Sequence, residues 1–461
     1  LEFGRSKVNP TKSEATPKHA PPGNQPGDQP PGRESQAVLP VRFSSSDSLS
    51  TQSKSTAFDR WLMRTMLKQA GNPEIEVVLW DKSVISTSPV SPRTRAVIHN
   101  RSTLYKMLID PSLYFGDAYS EGLIEVEGGL VNFHEAIDRC THAVDTKHFY
   151  RDGLRSSLAW LKRNTIDAAR SNIHHHYDIG NDFYQLWLDE QLAYTCAYFA
   201  DPEMTLEEAQ IAKMDHVCRK VGLKTGDTVV EAGCGWGALA LHMARYYGVK
   251  VRAFNISREQ LSYARDRARQ EGLSQQVEFV EDDWRNITGT YDAFVSVGML
   301  EHVGLKNYRR LGEVISDCLS PQGRGLIHSI GCNSPRTLDS WTTRRIFPGA
   351  HVPSLSEMMQ IFEPQKFSVL DVENIRLHYA MTLEHWLQRY EQNLDQVREM
   401  FDENFIRTWR LYLSASIAAF RSGSLQLFQV AFTKGDNNEI PWTRAALYPE
   451  ERRQSRRGEQ T

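Results

Sequence analysis

The sequence predicts an α/β protein: a Rossmann-like, doubly wound sheet of seven strands, preceded by a smaller α/β module. Three observations carry this. Val229-Val230-Glu231-Ala232-Gly233-Cys234-Gly235-Trp236-Gly237 joins a β-branched run to alternating glycines, and amphipathic Ala238–Tyr247 follows. That order reads as strand, tight loop and helix. Further strand-like runs recur downstream with helical or polar segments between them. A separate pair of alternating runs lies before residue 150.

Taken in order, residues 1–56 form a leader rich in Pro, Ser, Gly and Gln without apolar periodicity, so disorder is expected. Its first residues, Leu1-Glu2-Phe3, read as a cloning scar. Residues 57–150 hold Glu76–Trp80 and Ala96–Ile98 as strands and a helical stretch near Leu104 to Leu113. Residues 151–170 read as a helical connector, 171–447 as the catalytic unit, and 448–461 as a solvated tail. Within the catalytic unit the strands are expected at Val229–Glu231, Val249–Phe254, Val277–Val280, Tyr291–Val295, Gly325–His328, Phe367–Leu370 and Leu425–Phe432. Two capping boxes are expected, Ser257 with Gln260 and Thr205 with Glu208. The helix behind Thr205 presents Ile211, Met214, Cys218 and Val221 to the sheet.

Composition narrows the function. With 461 residues, 40% of them hydrophobic, the chain can bury more than one core. A formal net charge of −3 gives no case for nucleic-acid binding. No apolar run approaches transmembrane length, so any membrane contact is expected to be peripheral. The six cysteines are scattered without a C-x-x-C pair, which argues against a zinc site or disulfide framework and for the cytoplasm.

The glycine spacing is G-x-G-x-G, not the G-x-G-x-x-G of a pyrophosphate cradle. S-adenosylmethionine (SAM) is the leading candidate ligand, since glycines let an adenosine bearing an amino-acid tail lie against the backbone. His174-His175-His176 cannot all converge on one ion and lack partners at ligand spacing, so no metal is expected. A loop over the cofactor, with His176 or Tyr177 bonding into the site, is the alternative reading. Cys196 in isolation reads as a buried structural cysteine. Glu301-His302 lies beside apolar Met299, Leu300 and Val303 after the fourth core strand. It reads either as a desolvated proton-transfer pair or as a cap for a helix near Lys306. His328 and Tyr379 face the same rim.

Six motifs in order, H-Y-D-x-G-N-D-F-Y, Y-T-C-A-Y-F, E-x-G-C-G-W-G, S-V-G-M-x-E-H-V-G, H-S-I-G and H-Y-A-x-T-L, resemble the cyclopropane-fatty-acyl-phospholipid and mycolic acid cyclopropane synthases. The resemblance runs from about His174 to Lys434. Residues 57–150, through Gly116-Asp117-Ala118-Tyr119, more loosely resemble the lipid-interacting N-terminal domain of the phospholipid-acting branch. The resemblance implies a SAM-dependent methyltransferase. It places Tyr194, Thr195, Gly233, Gly235, Asn255 and Gln260 at SAM, with Asp283 and Trp284 at the adenine edge. It places Cys196, Glu301, His328, Ile330 (through its backbone) and Tyr379 around a bicarbonate ion.

The implied chemistry is methyl transfer to an isolated cis alkene of a phospholipid acyl chain, followed by proton loss to bicarbonate and ring closure. Such a reaction needs in-line positioning, worth about 7–11 kcal/mol, and a dry channel to protect a cationic chain. Phe199, Met299, Leu300 and Phe347 are expected to line that channel. Three positions depart from the common pattern: Glu231 replaces Asp, Leu300 replaces Phe, and Asn255 stands where other methyltransferases place an acid on the ribose. The first two bear on chain preference. Competing readings are a fatty-acid C-methyltransferase leaving a branch, a small-molecule methyltransferase, and a non-catalytic lipid binder. A peripheral membrane homodimer is expected, because two linked weak attachments reinforce each other.

Overall fold

The computed structural model describes residues 54–143 and 179–448. The expected connector at 151–170 and the His174–Asp178 part of the first motif lie outside the described residues, as do most of the leader and tail.

All seven core strands form. They are β5 (Thr228–Ala232), β6 (Lys250–Asn255), β7 (Val277–Glu281), β8 (Tyr291–Val297), β9 (Leu319–Gly331), β10 (Phe367–Asn374) and β11 (Gln426–Lys434). Their order is β10-β11-β9-β8-β5-β6-β7. Strands β5 to β9 pair in parallel, and β11 runs antiparallel to both β9 and β10. Central β5 is buried from Val229 to Ala232, the pattern of a strand covered on both faces. From β5 the chain winds outward through β6 and β7, then returns to β8 on the other side. The carboxyl ends of β5 and β8 therefore frame a topological switch point, where ligands of such sheets bind.

The N-terminal module is a sheet of order β2-β1-β3-β4, built from β1 (Ile75–Val78), β2 (Val84–Ile85), β3 (Thr94–Ile98) and β4 (Ile124–Glu127). Helices Ala57–Gln69, Arg101–Met107, Pro111–Ser120 and Leu130–Ala143 accompany it. The helical stretch expected from Leu104 to Leu113 is broken. Asp110 caps a new helix by accepting the Leu113 N–H, with Pro111 at its first turn. The boundary expected at residue 57 also moves: Ser55 is buried and donates its N–H to Asp81, and Thr56 forms a capping box with Asp59.

The module is bolted to the catalytic unit by the very residues that carried its resemblance. Arg345 forks onto Asp117 at 2.7 and 2.9 Å. Arg407 donates to the Tyr119 and Ile124 carbonyls at 2.6 and 2.9 Å and lies 4.2 Å above the Tyr119 ring. At Gly116 a Cβ would stand 2.2 Å from the Trp341 indole, so glycine there permits the close approach. Ser112–Asp339 and Ser340–Asp110, each at 2.7 Å, complete the junction.

Candidate active site

At the end of β5 the glycine loop is held from one side and open on the other. Gly233 sits at φ +85°, and a Cβ there would lie 2.9 Å from that of Met299. Gly233 and Cys234 donate their N–H groups to the Phe254 carbonyl, which pins the loop to β6. At Gly235, φ +53°, a Cβ would meet no heavy atom within 4 Å.

Asn255, at the tip of β6, donates from Nδ2 to the Gly235 carbonyl at 3.2 Å and to Gln260 Oε1 at 2.8 Å. Its Oδ1 accepts the Ile256 and Ser257 N–H groups. The expected capping box is therefore half formed. Ser257 Oγ accepts the Gln260 N–H, but Asn255, rather than Gln260, takes the Ser257 N–H. Gly235, Asn255 and Gln260 thus form one bonded group. Asp283 and Trp284 follow β7 at the same end of the sheet. The Asp283 carboxylate is forked onto Arg285 at 2.8 and 2.9 Å, and that guanidinium lies 4.6 Å from the Trp284 ring.

A cavity of about 1020 Å³ lies alongside. Cys196, Glu301, His328, Ile330 and Tyr379 all line it, with Tyr194 and Thr195. Glu301 belongs to the short helix Leu300–Val303 after β8, and the helices on either side of Lys306 have no side-chain cap; its Oε1 accepts the Ile330 N–H at 2.6 Å. Its Oε2 is buried with no hydrogen-bond partner among the described residues. Burial pushes the Glu301 carboxyl up to about 7, against the pull of its own and the Ile330 N–H and of the Ser329 side chain.

His328 stands on β9 directly opposite Gln429 on β11. Gln429 Nε2 lies 3.1 Å from His328 Nδ1. With the amide in this orientation Nδ1 accepts, and the ring proton resides on Nε2. Burial holds this imidazole down to about 3, so it is neutral at physiological pH. Cys196 is fully buried, which raises its thiol well above the ordinary range and keeps it protonated. Tyr379 packs its ring against Trp386 and Phe420.

Residues that a purely apolar reading passes over complete the site. Helix Leu206–Val221 buries Met214, Cys218 and Val221 as expected, but Ile211 is 43% exposed. The inward positions instead include Gln210 and Lys213. Gln210 Nε2 donates to the Ala193 and Thr195 carbonyls, and Lys213 Nζ donates to Thr195 Oγ1 at 2.9 Å. Lys213 is buried, which lowers its pKa against the attraction of Asp189, Cys196 and Glu231. Glu231, buried at the end of β5, is pushed up to about 8 by desolvation, opposed by Lys213. The signal in the sequence was the polar pair at positions that share a helical face with Leu206, Ala209 and Val217.

The expected channel lining is corrected. Phe347 lines the cavity, whereas Phe199, Met299 and Leu300 do not. Phe199 stacks on His385, Met299 lies against Gly233, and Leu300 is fully buried in the core around β8 and β9. The Leu300 departure therefore acts behind the site, through packing.

The donor set fits both groups that the motifs imply. For SAM there is an open face at Gly235 and a buried acceptor, Glu231 Oε2, with no hydrogen-bond partner among the described residues. For a small oxyanion, the cavity gathers the Glu301 carboxyl, the His328 ring, a tyrosine and a thiol. Among the described residues no cluster of His, Cys, Asp and Glu could hold a metal ion, and no helix is long and apolar enough to cross a membrane.

Comparison with known proteins gives the family. Residues 164–430 match the mycolic acid cyclopropane synthetase family, and residues 62–145 match a domain of unknown function. A Pseudomonas putida protein named "probable fatty acid methyltransferase" is 36% identical over 81% of this chain and 96% of its own. The cyclopropane-fatty-acyl-phospholipid synthase of Escherichia coli K12 is 36% identical over 74% of this chain and 88% of its own. The solved cyclopropane synthase MmaA2 from Mycobacterium tuberculosis superimposes with a TM-score of 0.55 at 27% identity, covering 57% of this chain and 98% of its own. The mycolic acid cyclopropane synthase CmaA1, solved with SAH and CTAB, gives 0.55 at 29% identity over 57% and 98%. With its seven-stranded sheet, glycine loop and matched motifs, the chain belongs to the mycolic acid cyclopropane synthetase family of SAM-dependent methyltransferases.

Proposed function

We propose that this enzyme adds a methylene from SAM across a cis double bond of a phospholipid acyl chain, with bicarbonate as the base. The observation that carries the proposal is the cavity itself: apolar along most of its lining, with Glu301, His328, Tyr379 and Cys196 on its wall. An alkene has nothing to offer a polar pocket, and a cationic chain survives only where water is excluded.

SAM would be held by the Gly233–Gly235 loop and the Asn255–Gln260 pair, and would supply an electrophilic methyl group. Bicarbonate would sit among Cys196, Glu301, His328, Tyr379 and the Ile330 backbone, and would supply a base free to accept the leaving proton. Glu301 is protonated below about pH 7, so its neutral carboxyl can donate from Oε2 toward an anion where a carboxylate would repel it. Neutral His328 offers its Nε2–H, and its Nδ1 is fixed by Gln429. The Glu301–Ile330 bond holds the acid in place.

Peripheral membrane association is part of the same proposal. Phe58 and Trp61 stack at 5.6 Å on the first helix and are 55% and 57% exposed, an aromatic pair suited to a lipid interface. A homodimer would double that attachment, and sedimentation with and without vesicles tests it.

The functional test is mass spectrometry of fatty acids from cells that express this chain and are fed deuteromethyl-methionine. The expected product has gained one methylene, retains two deuteriums and contains no new double bond. A saturated branch keeping three deuteriums would instead support a fatty-acid methyltransferase, the reading favoured by the similarity to the Pseudomonas putida protein.

A further inference from the structure

The cavity does not stop at the catalytic unit. The same continuous space is lined by Met63 and Leu67 of the first helix, Ile75 and Val77 of β1, and Ala96 and Ile98 of β3. These are core residues of the N-terminal module, each no more than 5% exposed. Val77 and Ala96 are register partners, so alternate residues of paired strands turn the same face toward the space. Protein interiors are normally filled to crystal density, with few voids larger than a water molecule. A module of this size that lines a shared cavity with its own core leaves room for an apolar ligand.

Between the apolar lining of the module and that of the catalytic unit, the junction residues Ser112, Arg336, Asp339 and Ser424 supply a polar waist to the cavity wall. Residues 333–337 are exposed and also line the cavity, which makes them its mouth. The segment is tied to the N-terminal module by Ser112–Asp339 and Ser340–Asp110, and to the catalytic unit by Arg336 on the Ser424 carbonyl. The mouth therefore opens at the junction. Half-buried His134 also lines the cavity, and its Nε2, itself shielded from solvent, has no hydrogen-bond partner among the described residues. On the catalytic side the apolar wall continues through Phe347, Leu383, Leu411 and Phe420.

We infer that the N-terminal lobe is a binding site for the non-reacting chain of a two-chain lipid. The reacting chain lies past Tyr379 and Glu301, and the glycerol ester region rests at the waist near His134. The head group leaves through the mouth beside Arg336. A single fatty chain would leave one lobe unfilled, and a hydrocarbon threaded through both lobes would drag apolar carbon across the polar waist. The inference rests on the acyl-lipid reading above and deepens it: the N-terminal module holds the chain that does not react.

The experiment is photolabelling of the full chain with phosphatidylglycerol vesicles containing one of two probes. One probe carries a terminal diazirine on the saturated sn-1 chain, the other on the sn-2 oleoyl chain. Labelling that unlabelled lipid competes away is mapped by peptide mass spectrometry. The sn-1 probe is expected on peptides from residues 57–143 and the sn-2 probe on peptides from 179–448. Label from both probes in 179–448 alone, the reverse pattern, or no competed label overturns the inference.

A second arm uses Ala96→Phe, which fills the lobe. Turnover of the diacyl lipid should drop about tenfold relative to the matching oleoyl lysolipid, the size expected of overpacking a site. An equal effect on both lipids overturns the inference, and the wild-type labelling decides the matter if this variant fails to fold. Cyclopropane analysis of the same samples separates the two readings. The expected label without ring formation leaves the lobe standing and removes the reaction, whereas rings without label in 57–143 do the opposite.

Discussion

Ile330 donates its N–H to Glu301 Oε1 at 2.6 Å, fastening the helix after β8 to the end of β9 and leaving Glu301 Oε2 as the free end of a buried acid. Glu301→Gln keeps an acceptor for Ile330 but removes the titrating proton. Turnover should fall by roughly 10²-fold or more, the usual scale for a positioned acid or base. SAM affinity, read by calorimetry, should be nearly unchanged, because the glycine loop is built from other residues. Wild-type turnover should also decline as pH rises through about 7, where Glu301 loses its donor proton. A large loss of SAM affinity in the variant would remove Glu301 from this role.

Lys213 acts one step further back. Its ammonium holds Thr195 Oγ1 at 2.9 Å and opposes the upward shift of Glu231. Lys213→Met should release the Thr195 loop and weaken SAM binding by about tenfold, the worth of one charge-assisted hydrogen bond. The affinity profile against pH should also move upward, since Glu231 loses the cation that keeps it acidic. Lys213 is thus a positioning residue, and a variant with lower melting temperature but unaltered pH profile for SAM binding would reduce it to a structural one.

The sheet was legible because its strands are buried or alternate in plain patterns: Val229–Glu231 and Tyr291–Val295 each fall within an observed strand. The five residues proposed to hold bicarbonate line one cavity, and only the family motifs grouped them in the sequence. Cys196 alone looks like any buried cysteine, and no spacing rule links it to Glu301 or Tyr379. Lys213, Gln210 and Gln429 were not legible, since a polar residue on an inward helical or strand face shows its purpose only when its partner across the fold is known. Leu300 failed for a related reason: adjacency to Glu301 in the chain suggested a shared wall, but the helical turn sends the two side chains in different directions.

Stability should depend on pH in a specific window. Glu231 and Glu301 are raised by burial from the usual 4.5 to about 8 and about 7. Each favours the folded state while protonated in both states, below about 4.5, and loses that advantage as pH rises through its folded value. Below about 6.5 His134, His302 and His328, which desolvation lowers from 6.5, oppose this trend because unfolding lets them charge. Between pH 6.5 and 8.5 the histidines fall silent and the acids dominate, so stability should decline. The total loss from Glu301 across its range is roughly 3 kcal/mol. Chemical denaturation of Glu301→Gln and Glu231→Gln should show a shallower decline in that window; slopes equal to wild type would place the shifts elsewhere.

The last prediction concerns the junction. Gly116 sits mid-helix, where alanine is otherwise favoured, yet a Cβ there would stand 2.2 Å from the Trp341 indole. Helix propensity alone makes Gly116→Ala stabilising by about 1 kcal/mol. The clash acts the other way, because Trp341 is buried in the core shared by both parts and cannot swing clear. Overpacking of this kind destabilises by about 1–3 kcal/mol, so the contact should outweigh propensity. The expected outcome is a lower melting temperature and faster proteolysis between the two parts, with Asp117–Arg345 too exposed to hold them by itself. Pairing the change with Trp341→Phe should recover part of the loss, since a smaller ring leaves room for the methyl group. A Gly116→Ala protein as stable as wild type would mean that Trp341 moves freely and that the module is held mainly by Arg407 on the Tyr119 and Ile124 carbonyls.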